Sequence, residues 1–462
     1  MKSKLFLKPI GYLGIFTITF ALFQCSSGSN DTYNSLRQYC DQVKVINTHE
    51  HQRWPEENGD LNYGFFHLLR ASYLMADVVS AGGSWLDFEE IDTMNHDSLW
   101  DLMGEALDHT RNTSYYGHFI RGFQKLYDFR DPYFTRENTL ALSAGITENY
   151  MDYRTWFDNA FQKAGFELMF LDQYWKPLNT SIDEKHFALA FHINTLVMQA
   201  SSKPGTDEEP EGIYALAEKE GIAISSLEDY LEICADLFRK NVEKRAVCVK
   251  NSMAYSRSLD YEDVPYETAS ELFLRPSGSL STQEEKMIQD FMFHWIIQKS
   301  IDYDLPIQIH TGYLAGNGNV LDNGRPLKLN NLFLQYPEAK FVLFHGGYPW
   351  TGEYAAFGKM FPNVYLDLVW LPQISREEAV HALEEILDGV PYNKLFWGGD
   401  CAFIEESTGS LEFGKDVVAT VLDKRIQRGL LTEEVATDII DRIFRENAIE
   451  VFDLEERLGR KF

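Results

Sequence analysis

Cysteine is scarce in this 462-residue chain: five copies, widely scattered. That spacing excludes a disulfide framework and the close pairs of a zinc knuckle. Cys40, Cys234, Cys248 and Cys401 are expected to be buried thiols, with room for one bridge at most. Positive charge is also in short supply, with 42 Lys and Arg against 70 Asp and Glu and a net charge of −28. Phosphate backbones are gripped by basic patches, so nucleic acid is excluded as a partner. What the chain does have is a 45% hydrophobic content with 14% aromatics. That supports a sizeable core and excludes disorder, in one large domain or two ordinary ones.

Lys2, Lys4 and Lys8 precede an apolar run from Ile10 to Phe23, which is short for a membrane span. The run ends in Leu22-Phe23-Gln24-Cys25 and passes into a polar Ser/Gly/Asn stretch. This resembles a bacterial lipoprotein signal, although Gln24 stands where a small residue is usual. Residues 1–24 are then a signal peptide and 25–42 a tether with a leading helix. The expected product is exported and held at a membrane, periplasmic or at the cell surface, by lipid on Cys25.

Apolar strands are expected at 43–51, 166–171, 187–191, 246–250, 305–310, 340–345, 363–369 and 394–400. Most are separated by helical segments, two of them opened by Ser-x-x-Glu capping boxes at Ser281/Glu284 and Ser375/Glu378. Continuous apolar strands alternating with helices imply parallel pairing with both faces covered. Eight of them predict an α/β fold, a (β/α)8 TIM-type barrel spanning 43–462. Residues 52–165 lack strand alternation and read as a helical insertion after the first strand. The insertion's many large aromatics read as packing rather than as a sugar platform.

The polar residues carry the chemistry. His49 and His51 are two apart at the end of the first strand, so both imidazoles face one way. Lys250, His310, His345 and Asp400 also sit at or just past strand ends, which a barrel gathers at one face. Histidines with one carboxylate suit a divalent transition metal, zinc first, with manganese or iron as alternatives. His49, His51, His310 and Asp400 are the expected ligands. Asp400 can also accept a proton from water, and His345 can bind metal or polarise a substrate oxygen. His67, His96, His109, His118, His186, His192, His294 and His381 are expected to stand apart.

Ile46-Asn47-Thr48-His49-Glu50-His51, Gln308-Ile309-His310-Thr311-Gly312, Phe344-His345-Gly346-Gly347-Tyr348-Pro349 and Gly398-Gly399-Asp400 resemble the amidohydrolase superfamily, in its amidohydrolase-related branch. The stretch from Phe344 to Leu371 is similar to the amidohydrolase-like domain fused to glutamine synthetase in some fungal and plant proteins. The resemblance implies a distorted barrel, a His-x-His metal pair on the first strand, histidines on the fifth and sixth, and an aspartate on the eighth. It also offers Lys250 as a carbamylated bridge between two metals. One metal is favoured here, with Lys250 and Arg257 holding an anionic substrate.

The expected function is hydrolysis of an amide, lactone or ester in a small molecule, anionic or sugar-derived. Family members also include decarboxylases and uronate isomerases, so a non-hydrolytic reaction is the alternative. A surface binding module would show gaps in the ligand set, and the sequence has none. The insertion leaves the rim beside His51, so it is expected to cover the site and shape the substrate.

Overall fold

The computed structural model describes residues 28–54, 62–276 and 278–462; the signal segment and Cys25 lie outside them. Eight strands follow one another round a single sheet: β1 Val45–Glu50, β2 Phe166–Asp172, β3 Phe187–His192, β4 Cys248–Asn251, β5 Ile307–Ile309, β6 Phe341–Leu343, β7 Val364–Asp367 and β8 Leu395–Phe396. All seven ladders between sequence neighbours are parallel. Helices wrap the outside, so strands such as β3 and β5 are buried along their whole length. This is the (β/α)8 barrel expected from the sequence.

The remaining gap, between β8 and β1, is closed just past the strands themselves. Asp400 N donates to His49 O at 2.8 Å, and His51 N donates to Cys401 O at 2.9 Å. Side chains reinforce the seam: Gly399 N donates to Asn47 Oδ1 at 2.8 Å, and Cys401 N to Glu50 Oε2 at 2.9 Å. β8 itself is far shorter than the expected 394–400. The reason is local: after Phe396 the chain enters Gly398-Gly399 and Asp400, whose φ of 60° takes it out of the extended region.

His345 (φ 64°) and Trp370 (φ 63°), just past β6 and β7, share that left-handed conformation. Non-glycine residues adopt it rarely, and it concentrates where surrounding structure dictates a side chain's aim.

Of the two expected capping boxes, Ser281 and Glu284 exchange both bonds, at 3.4 and 2.8 Å. Ser375 Oγ accepts from Glu378 N at 3.2 Å, but the Glu378 carboxylate turns to Thr351 Oγ1 instead, at 3.0 Å. The cysteines at 40, 234, 248 and 401 are free and buried. Among the described residues no helix is long and apolar enough to cross a membrane.

Between β1 and β2 the chain forms a run of helices from Phe65–Ala71 to Tyr153–Ala164. They fasten onto the helix Ile404–Gln427, which follows Asp400. Two successive buried acids on that helix reach into the insertion. Glu405 accepts from Tyr127 Oη at 2.6 Å, Trp156 Nε1 at 2.9 Å and Tyr150 Oη at 3.1 Å. Glu406 accepts from Tyr73 N at 2.9 Å and contacts His118 Nε2 at 3.2 Å. The helix Ser114–Leu126 crosses the same helix at backbone distance. A Cβ on Gly122 would lie 2.0 Å from Glu405 O, and one on Gly409 would lie 1.9 Å from His118 O. Gly122→Ala and Gly409→Ala should therefore each destabilise the fold by about 1–3 kcal/mol or more, read as a lowered thermal midpoint. An unchanged midpoint in both would mean that the helices are not held this closely.

Candidate metal centre and active-site cavity

The seam bonds fix the backbone of His49, His51 and Asp400 next to one another, and their side chains converge. Asp400 Oδ1 lies 3.0 Å from His51 Nε2 and 3.5 Å from His49 Nε2. One ligand atom from each of the three falls within 4.8 Å of the others. His49 is fully buried, and burial, then the nearby Lys250 charge, holds its imidazole well below the ordinary range. It is therefore a neutral nitrogen donor at any ordinary pH. His51 Nδ1 is oriented by Asp172 O at 2.9 Å, which leaves Nε2 for the shared point.

His310 and His345 lie beside this group and face each other, His310 Nδ1 to His345 Nε2 at 3.0 Å. His310 Nε2 meets Tyr313 O at 2.8 Å, and His345 Nδ1 meets Val369 O at 3.1 Å. Each of these three contacts calls for one N–H. Two neutral imidazoles supply two. Burial keeps both rings neutral, pushing His310 down to about 3 and His345 well below the ordinary range. With the two hydrogens on the carbonyls, His310 Nδ1 and His345 Nε2 face each other as two lone pairs, an arrangement that a cation would relieve. His49, His51 and Asp400, with His310 beside them, form a donor set for a borderline divalent metal.

Lys250 comes up from β4 with Nζ 2.9 Å from His49 Nε2 and 4.4 Å above the Phe344 ring. It is buried, and burial pushes its amine below the usual lysine range. Arg257 does not join the group. Its guanidinium pairs with the buried Asp290 at 2.6 Å and donates to Asp260 O at 2.8 Å. The chain turns away after β4 through Met253–Tyr255, which takes Arg257 to the helix Thr282–Asp302 and gives it a structural task.

A cavity of about 430 Å³ opens over these residues. His51, Lys250, His310 and Asp400 line it, together with Asp172, His192, Tyr73, Tyr174, Tyr255 and Glu406. Tyr73 comes from the insertion, as does Ala71 on the same wall, and the Tyr73 hydroxyl donates to Asp400 O. Asp172 and His192 are additions to the expected set, His192 against the expectation that it stands apart. They end β2 and β3 side by side, with His192 Nδ1 2.9 Å from Asp172 Oδ1. Burial alone would raise the Asp172 carboxyl, but His192 outweighs it and holds the group at about 2. The ionised carboxylate fixes the hydrogen on Nδ1 and leaves Nε2 as the acceptor. The signal for both was present: each is the first polar residue after an apolar strand.

His51→Ala and Asp400→Asn should each weaken divalent-metal affinity by more than the roughly 10–100-fold that losing an outer partner costs, measured by chelator competition on the full chain. A native protein that retains no transition metal and gains none on reconstitution would remove the metal centre.

Comparison with known proteins agrees with this geometry. Residues 278–454 match a family model described as Amidohydrolase. The curated protein fluG of Emericella nidulans is 32% identical over 186 residues, 38% of this chain. The chain spans only 21% of that protein's length. Among solved structures, uronate isomerase from Thermotoga maritima superposes with a TM-score of 0.75 at 13% identity, covering 91% of this chain and 97% of its own. Glucuronate isomerase from Caulobacter crescentus gives 0.73 at 14% identity, covering 94% and 96%. At such identities the superpositions speak for the fold. The amidohydrolase family match thus falls on residues 278–454, within a chain whose whole fold is the (β/α)8 barrel of these structures.

Proposed function

We propose that this protein is a metal-dependent hydrolase that cleaves an amide, lactone or ester in a small anionic molecule. The observation that carries the reading is Asp400, whose carboxylate is shared with the two histidines while lining an open cavity. His49, His51 and Asp400 would hold the metal, one ion being favoured and zinc the first candidate. When bound, it supplies Lewis acidity and lowers the pKa of water.

The chain's own groups then have separable tasks. Asp400 accepts the proton of the attacking water and returns it to the departing nitrogen or oxygen as the carbon–heteroatom bond breaks. His345, held by Val369 O and buried behind the cavity, positions the His310 ring that lines it. Lys250 holds the substrate's anionic group at the cavity floor. His192, aligned by Asp172, provides a second acceptor on the same cavity. That second acceptor favours one alternative: proton transfer between neighbouring carbons, as a sugar-acid isomerisation requires, needs such a group. An exported, lipid-tethered location on Cys25 is part of the proposal and is carried by the sequence alone.

The two reactions leave different isotopes in the product. Turnover of a panel of lactones, amides, esters and uronates in ¹⁸O-water and in deuterium oxide should place one solvent oxygen in the product. A product without solvent oxygen but with deuterium on carbon would replace hydrolysis by isomerisation or, where carbon dioxide is released, by decarboxylation. In either case chelation should abolish turnover and a divalent metal should restore it.

A further inference from the structure

A second chamber beside the catalytic cavity has room for the far end of a longer substrate. Its volume is about 170 Å³. Ala71, Tyr174 and Ala402 line both. Its other walls are rings, Tyr63, Phe88, Tyr150, Tyr153 and Phe403, together with Leu68 and two arginines, Arg53 and Arg70. An apolar cavity of ~150 Å³ accommodates one benzene. A single six-membered ring is therefore the right size.

The arginines differ in what occupies them. Arg70 is committed locally: it lies 3.7 Å over Trp85, donates from Nε to Leu86 O at 2.6 Å, and sits 3.5 Å from Asp87 Oδ1. Arg53 donates to Tyr174 Oη at 2.9 Å and lies 4.3 Å from the Trp175 ring centroid. Among the described residues no carboxylate pairs with it, although the chain carries 70 acidic residues. Its backbone is pinned as well, N donating to Ala402 O at 3.3 Å in continuation of the barrel seam. A fixed guanidinium among ring faces recognises a flat acid: the rings stack on its ring, and the guanidinium takes its carboxylate by a forked hydrogen bond.

We propose that this outer chamber binds an aryl carboxylate and that Arg53 is its specificity-determining residue. The hydrolysed molecule is then an amide or ester with one aryl-acid half, the susceptible bond lying past the Ala71–Ala402 partition. The assignment rests on the hydrolase reading only for which end reacts. The role expected of Arg257 belongs to Arg53.

Binding tests this without turnover. The probes are benzoate and its neutral isostere benzamide, titrated by calorimetry into the full-length metal-loaded protein and into Arg53→Met and Ala71→Leu. Benzoate should bind the native protein and bind Arg53→Met roughly tenfold more weakly or worse. Benzamide should bind both proteins alike. Ala71→Leu, which keeps the guanidinium and fills the partition, should lose both probes while its metal content stays native. Equal benzoate affinity in native and Arg53→Met proteins overturns the proposal, as does the absence of saturable benzoate binding to the native protein. Ala71→Leu binding both probes like the native chain also overturns it. A failed isotope experiment with intact benzoate binding would refute hydrolysis and leave the chamber standing; the reverse pattern would do the opposite.

Discussion

Two main-chain hydrogen bonds, Asp400 N to His49 O and His51 N to Cys401 O, hold this molecule's chemistry in place. They close the sheet where neither β1 nor β8 supplies a regular ladder to the other, and they do so at the ligand residues themselves. A barrel with this seam open would separate the paired histidines from the aspartate by the width of the gap. Closure of the fold and assembly of the site are therefore one event. The carboxylate of Glu50 and the carboxamide of Asn47 make that event cooperative, since each binds across the seam to the Gly399–Cys401 backbone.

The helical insertion is tied to the same event from the other side. Glu405 and Glu406 are buried a few residues past Asp400, and a buried carboxylate is tolerable only when its hydrogen bonds are satisfied. Their partners are Tyr127, Tyr150, Trp156, Tyr73 and His118, all from the insertion. Removing the insertion would leave both acids without those partners, so it is scaffold as well as cover. The neighbouring glycines, Gly122 and Gly409, let the two helices approach closely enough for these bonds to form.

Much of this was legible in the residues. Eight apolar runs with polar caps specify a parallel barrel, because only buried parallel strands dispense with alternation and only barrel closure gives the polar ends a common destination. The rule that found His49, His310, His345 and Asp400 also applies to Asp172 and His192. Each lies one residue past its expected strand end, Leu171 or Phe191, but neither belongs to the family motifs that singled out the other four. Arg257 shows the opposite error. Proximity in sequence to Lys250 suggested a shared cavity, but the chain turns at Met253–Tyr255, and a buried Asp290 outbids any ligand for the guanidinium. The pairing of His310 with His345 was beyond sequence reasoning, since it depends on side-chain directions set by a left-handed residue. Arg53 was beyond it too, because its surroundings come from six separated segments.

The left-handed backbone at His345, Trp370 and Asp400 has a consequence for how this site can vary over generations. At position 400 the chain requires both a carboxylate and a residue that tolerates positive φ, and aspartate is among the few that meet both demands. Glutamate keeps the charge but lacks the short polar side chain that eases the turn, while asparagine keeps the turn and forfeits the charge. A β-branched replacement offends both. Drift at this position is thereby confined to a narrow set of residues, so the centre is more prone to lose its chemistry outright than to exchange it by small steps, and novelty is left to the ring-lined chamber beyond Ala71 and Ala402.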